Sequence, residues 1–350
     1  MATATEGRLY SPMTISPQDA ILGAGPVDPD QTPRETDAGP GGPPAEKKIE
    51  GRSLWALAWM RLRRDKIALI SGTVVILLFL IAVFAPVIAR LVGQDPNLQP
   101  EDPSSVLDPS GFPLGSFGGI SGDHWFGVEP VNGRDLFARI LYGARVSLLI
   151  SVLATLVQIV IGVVVGVIAG FVGGWLDNLL SGFINVLLAF PIILFGISLV
   201  TVANTVNREL LLILLIGGFS WPYIARIVRG LVLSLREKEF IEAARSYGAP
   251  RWRIMLRELL PNLVGPILVY STLVIPTNIL TEAAFSFLGI GVREPQASWG
   301  GMLSKAAGQG YYKDDPMFMI IPGTMIMITV LAFNLFGDSV RDALDPKSSR

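Results

Sequence analysis

Six stretches of this 350-residue chain are apolar for long enough to cross a lipid bilayer, which leaves few folds open to it. They run over residues 67–90, 144–171, 176–202, 209–231, 263–292 and 317–336. A hydrocarbon core of about 30 Å needs about twenty apolar residues of helix to span it. Charged residues make up only 16% of the chain and hydrophobic ones 51%, whereas soluble domains carry about 25% charge. The expected class is therefore an all-α membrane protein with six transmembrane helices.

The polar segments set the orientation. Residues 1–50, rich in Pro, Gly, Thr and Asp, cannot bury enough apolar surface to offset their ordering entropy and read as a disordered tail. A short amphipathic lead-in over 51–66 ends in Arg61, Arg63, Arg64 and Lys66, directly before the first span. Residues 91–142 form a long polar loop, 143–340 a five-helix core, and 341–350 a polar C-terminus. With both termini inside, twenty of the 28 Lys and Arg residues fall on the inner side and eight on the outer. The positive-inside rule favours that topology, with N- and C-termini cytoplasmic.

Between the fourth and fifth spans lies a charged insert, 237–262, which reads as two short helices. Glu237 and Glu239 suit the positive end of a helix dipole. Phe240, Ile241, Ala244 and Tyr247 recur at helical spacing, so they should share one apolar face. Gly248 is placed to end that helix in a left-handed turn, and Pro250 to open the next at its first position. Trp252, Met255, Leu256 and Leu259 then form a second apolar face, with Arg251, Arg253 and Arg257 polar. The result is a compact cytoplasmic knob; an amphipathic pair lying on the bilayer would share this pattern.

Other features narrow the chemistry. Gly162, Gly166 and Gly170 lie four apart on one helix face, a groove where another helix of this chain or of a partner can approach closely. Pro191, Pro222, Pro266, Pro276 and Pro322 invite kinks. Glu282 is the one carboxylate well inside an apolar span; about 30 Å up the helix from Pro261, it sits near the outer boundary, bonded locally or lining a path. Arg134 and Asp135 read as a loop ion pair or a helix-start cap, or as contacts at the outer mouth. The chain has no cysteine and only one histidine, His124, which excludes disulfides and thiolate chemistry and leaves little for a metal site. It has neither a phosphate-cradling G-x-x-x-x-G-K-[ST] loop nor a nucleophile–base set at membrane depth, and its net charge of −1 offers no field for nucleic acid.

Glu242-Ala243-Ala244, Gly248 and Leu260-Pro261 resemble the EAA signature of ATP-binding-cassette importer permeases, with Glu258 where an isoleucine is usual. His124-Trp125-Phe126-Gly127, Gly133-Arg134-Asp135, 282–289, Ser298-Trp299-Gly300 and 341–346 resemble the C-type permease subunit of dipeptide, oligopeptide and nickel importers. The resemblance covers roughly 52–346. It implies a type I importer permease fold in the bacterial inner membrane, paired with a second, B-type permease, two ATPase subunits and an extracytoplasmic binding protein. ATP and Mg would then sit on the partners, with no cofactor in this chain. Phe240, Glu242, Ala243, Ala244, Tyr247, Gly248, Arg251, Leu260 and Pro261 would dock on the ATPase, and the cargo would be a peptide, a nickel chelate or a glutathione-like ligand. A secondary transporter should instead carry several intramembrane charges around an ion site and would not need the knob.

Overall fold

A computed structural model describes residues 54–203 and 205–345. The tail expected over 1–50 and the last residues of the C-terminal segment lie outside the described residues. Every regular element described is helical. α1 (Leu54–Leu62) leads into α2 (Lys66–Val92), whose first turn is capped by Asp65, its carboxylate accepting from the Ile67 N–H at 2.8 Å. α3 (Leu136–Val172) has 37 residues and starts well ahead of residue 144, inside the expected loop. At 1.5 Å per residue it is about 55 Å long and overshoots the hydrocarbon layer. Then follow α4 (Gly174–Ala189), α5 (Ile192–Val202), α6 (Arg208–Leu235), α7 (Glu239–Ser246), α8 (Arg251–Arg253), α9 (Leu260–Phe287), α10 (Trp299–Gly308) and α11 (Met317–Leu344).

A π-helical stretch, Ile254–Leu259, joins α8 to α9, so Arg251–Phe287 runs as one 37-residue span. Among the described residues, five helices are long and apolar enough to cross a membrane, and six if α4 and α5 are one span bent by 80°. The expected third span is thus broken, not straight. Phe190 is extended (φ −76°, ψ 127°), the conformation that the following Pro191 ring favours, and Pro191 offers no N–H to continue the ladder. The other four prolines expected to kink spans stay inside helices: Pro222 in α6, Pro266 and Pro276 in α9, Pro322 in α11.

α3 and α6 form the tightest pair. A Cβ added at Gly162 would lie 2.6 Å from Ile224 Cβ, at Gly166 2.7 Å from the Ala225 carbonyl, and at Gly170 2.8 Å from Val232 Cβ. Gly217 of α6 answers from the other side, where a Cβ would meet Val157 Cβ at 2.7 Å. The glycine face of α3 therefore packs within the chain, backbone against backbone, where dispersion rather than water drives association.

α3 meets α9 through a buried polar seam. Gln158 Nε2 donates to Asn278 Oδ1 at 3.0 Å and to the Ile216 carbonyl at 3.2 Å, and Asn278 Nδ2 donates to Thr155 Oγ1 at 2.7 Å. Such side chains at membrane depth must find partners across helices, which sets the register between them. A main apolar core gathers α2, α3, α9, α10 and α11 around the fully buried Trp299, whose Nε1 donates to the Ile140 carbonyl at 3.1 Å.

Candidate functional site

The two ends of the bundle carry most of the polar groups. At one end, α7 begins at Glu239 and finishes in a Schellman motif: the Gly248 N–H donates to the Arg245 carbonyl at 2.9 Å and the Ala249 N–H to the Ala244 carbonyl at 3.1 Å. Gly248 holds φ +74°, which a side-chain-bearing residue adopts only with strain. Pro250 stands one position earlier than expected, as the N-cap residue with Arg251 first in the helix.

The apolar stripe expected on α7 divides. Ile241 is fully buried and Ala244 packs beside it, in a cluster with Val228, Val232, Ile254, Leu259 and Leu263. Phe240 and Tyr247 turn outward, 38% and 90% exposed, with Glu242 and Ala243 between them. The second expected face is also rearranged. Ile254 and Leu259 are buried and Met255 packs partly against them, while Trp252 and Leu256 are 59% and 56% exposed. A π-helix closes i→i+5 hydrogen bonds, here Leu260 N–H to the Met255 carbonyl, so residues five apart such as Ile254 and Leu259 come onto one side. Arg251, Gly248 and Pro261 are exposed and Leu260 is half-buried. Outward-facing Phe240, Tyr247, Trp252 and Leu256 on an anchored base make an ordered apolar projection fringed by Glu242 and Arg251.

At the other end, the loop between α2 and α3 is fastened by charge. Glu129 is fully buried; Lys305 Nζ donates to its Oε1 at 2.7 Å, and Arg139 Nε lies 3.3 Å from its Oε2. Glu294, in the α9–α10 loop, accepts from Arg134 at 2.6 Å and Arg139 at 3.1 Å, with Lys305 Nζ at 2.8 Å. Three cations and two carboxylates thus clamp loop, α3 and α10 together. Burial alone would raise the Glu294 carboxyl, but Lys305, Arg139 and Arg134 together hold it below the usual carboxylate range.

The three residues considered for an outer mouth are all engaged here. Asp135 caps α3, accepting from the Ala138 N–H at 2.7 Å, and its other oxygen lies 2.8 Å from His124 Nδ1. Arg134 belongs to the clamp, pairing with Glu294 and not with Asp135. Glu282 is fully buried, accepts from Ser286 Oγ at 2.7 Å, and faces Ser147 and Ser298. Sequence reasoning missed Glu129, Glu294 and Lys305 as a unit, and missed Gln158 and Asn278, although two amides inside apolar runs are a readable signal.

Beside the clamp lies a cavity of about 360 Å³, lined on α3 by Tyr142, Arg145, Val146 and Leu149 and on α6 by Glu209. Pro96 and Asn97 complete it from one loop, Gln296 and Ala297 from the other. Among the described residues, no cluster of three or more His, Asp or Glu side chains is arranged to hold a metal.

Residues 162–350 match the family of binding-protein-dependent transport system inner membrane components, and residues 53–104 match the N-terminal transmembrane domain of oligopeptide transport permease C. The dipeptide transport system permease protein of Alkalihalophilus pseudofirmus is 38% identical over 308 residues, 88% of this chain and 95% of that protein. The oligopeptide transport system permease protein of Escherichia coli K12 is 39% identical over 86% of this chain and 93% of its own length. A glutathione transport system permease protein of Shigella flexneri is 41% identical over 87% and 94% respectively. Among solved structures, an inward-facing MetNI methionine ABC transporter aligns with 59% of this chain and 97% of its own chain, at 21% identity and a TM-score of 0.49. With its all-helical, multi-pass architecture, the chain belongs to the binding-protein-dependent inner-membrane permeases of ABC importers.

Proposed function

We propose that this chain is the C-type permease of an ATP-driven peptide importer and forms half of the translocation path with a B-type permease. One of two cytoplasmic ATPase subunits docks on the projection at α7 and α8, the other on the second permease, and an extracytoplasmic binding protein delivers the peptide to the opposite end. Both termini then lie in the cytoplasm, as the distribution of Lys and Arg favours. ATP and Mg are held, and ATP is hydrolysed, by the partner subunits.

The observation that carries this reading is the division of α7. Ile241 anchors it in the bundle while Phe240, Glu242, Ala243 and Tyr247 are turned outward. An apolar face on an anchored base, left exposed among the described residues, is the form expected of a docking surface. The Schellman turn at Gly248 and the helix Arg251–Phe287 connect that face mechanically to the membrane bundle. A movement of the ATPase would reach the spans through α6 and α9, which share the apolar cluster around Ile241.

The test is co-purification of the ATPase subunits with the permease pair, together with ATP-dependent peptide uptake in proteoliposomes. Glu242→Arg and Gly248→Asp should abolish both. Intact association and uptake in both variants would overturn the coupling role. Peptide names among the relatives support a peptide cargo. The glutathione transport relative at 41% identity makes a glutathione-like peptide the second reading, separable by mass spectrometry of the ligand retained on the binding protein.

A further inference from the structure

The cavity between the ends of α3 and α6 is unusual in its charges. Arg145 and Glu209 both line it, and among the described residues neither forms an ion pair or a side-chain hydrogen bond. Their neighbours behave differently: Arg134, Arg139, Lys305, Glu129 and Glu294 are all paired with one another a short distance away. One cation and one anion thus face a shared space without forming an ion pair with each other, whereas the five charges of the clamp all take part in ion pairs.

The space of about 360 Å³ lies at the lower end of the range, about 300–1,000 Å³, that holds small ligands. Tyr142, Asn97 and Gln296 line the same space as neutral hydrogen-bonding groups. We propose that this cavity is a transit site for the two termini of a short zwitterionic peptide, Arg145 taking the carboxylate and Glu209 the ammonium group. The assignment rests on the peptide-importer reading above and names the part of this chain that meets the cargo first.

The chemistry fits on three counts. A guanidinium fork matches a carboxylate bidentately, and a carboxylate accepts from an ammonium group. The formal charges of the pair cancel, so the site is complementary to a dipole and does not trap net charge. Arg145 is exposed and Glu209 half-buried, so each contact stays screened and weak enough for onward passage.

Arg145 also borders an apolar groove between α2 and α3, lined by Phe79, Val83, Leu148 and Val152 among others. A phospholipid could lie there with its phosphate on Arg145, but Glu209 in the adjoining cavity would repel that anion. The carboxylate is what favours a zwitterion over a lipid.

The test uses the complete transporter in proteoliposomes, with binding protein preloaded to saturation. Uptake of dialanine, N-acetyl-dialanine and dialanine amide is compared for the unaltered chain, Arg145→Gln and Glu209→Gln. Arg145→Gln should slow free dialanine by about fivefold to tenfold and leave the amide unaffected, while Glu209→Gln should slow dialanine similarly and leave the N-acetyl form unaffected. Equal effects of each variant on all three peptides, or none on any, would overturn the site. So would a loss confined to Arg145→Gln that follows the anionic lipid content of the vesicles, the lipid outcome. Absence of ATP-dependent uptake of any peptide by the unaltered transporter would instead strike the importer reading itself. Co-purification of all subunits with each variant establishes that assembly is intact.

Discussion

The two ends of this bundle solve opposite problems with similar residues. At the loop end, Glu129, Arg139, Glu294 and Lys305 form ion pairs with one another, and cations 2.7 and 3.3 Å from the fully buried carboxylate of Glu129 offset its desolvation. At the α7 end, Phe240, Tyr247, Trp252 and Leu256 remain uncovered although the backbone beneath them is well anchored. At one end the clamp charges pair within the chain; at the other an apolar face is left exposed among the described residues. A group that a chain leaves unpaired on an ordered base points to a partner, whereas a group it pairs internally points to stability.

The sharpest way to break that contrast is to remove one member of the clamp. Arg139→Ala leaves Glu129 buried with one cation fewer and should destabilise the protein by about 3 kcal/mol or more, read as a lowered Tm in detergent, while ATPase association by the surviving folded protein is unchanged. Acid should act on the same end. Because the clamp's cations hold the folded Glu294 carboxyl below its usual range, its contribution is complete at neutral pH and is lost as pH falls through the carboxylate range and then through the folded value. A Glu294→Gln variant should show a smaller fall in Tm between neutral and acidic pH than the unaltered chain; an equal fall would remove Glu294 from the clamp.

Gly248→Val forces a β-branched residue to φ +74° and should cost about 1–2 kcal/mol, with a loss of coupled uptake larger than the loss of stability explains. Asp135→Ala removes the α3 cap and should cost about 1 kcal/mol, visible as faster amide exchange at Leu136–Ala138. Tyr247→Ala is the most discriminating and has the smallest effect on folding. It should leave Tm within the noise, about 0.5 kcal/mol, while ATPase co-purification falls. A drop in Tm without a drop in association would mean that Tyr247 packs on its own chain.

Much of this was legible beforehand because the membrane enforces simple rules. The apolar runs located the spans, and Gly248 before Pro250 located the elbow. What escaped were features made by residues distant in the chain or by local winding. Lys305 and Glu129 are 176 positions apart, and nothing in either neighbourhood names the other. The helical stripe Phe240–Ile241–Ala244–Tyr247 was read as one face, but Ile241 and Tyr247 point to opposite environments. The face containing Trp252 and Leu256 was misread because a π-helical stretch, invisible to a period of 3.6, re-registers the helix behind it.

By itself the sequence determined that the chain is a helical, multi-pass membrane protein with a polar knob between its fourth and fifth spans, since hydrocarbon admits no other use for such apolar runs. The tertiary structure decided the rest: that α4 and α5 break by 80° at Pro191, that the glycine face of α3 is spent on α6, which knob residues face outward, and that Arg145 and Glu209 share a cavity. The physical reason is one of range. Transfer into a bilayer is a local property that each segment carries in its own composition, whereas pairing, register and exposure are set between segments that meet only when the bundle closes.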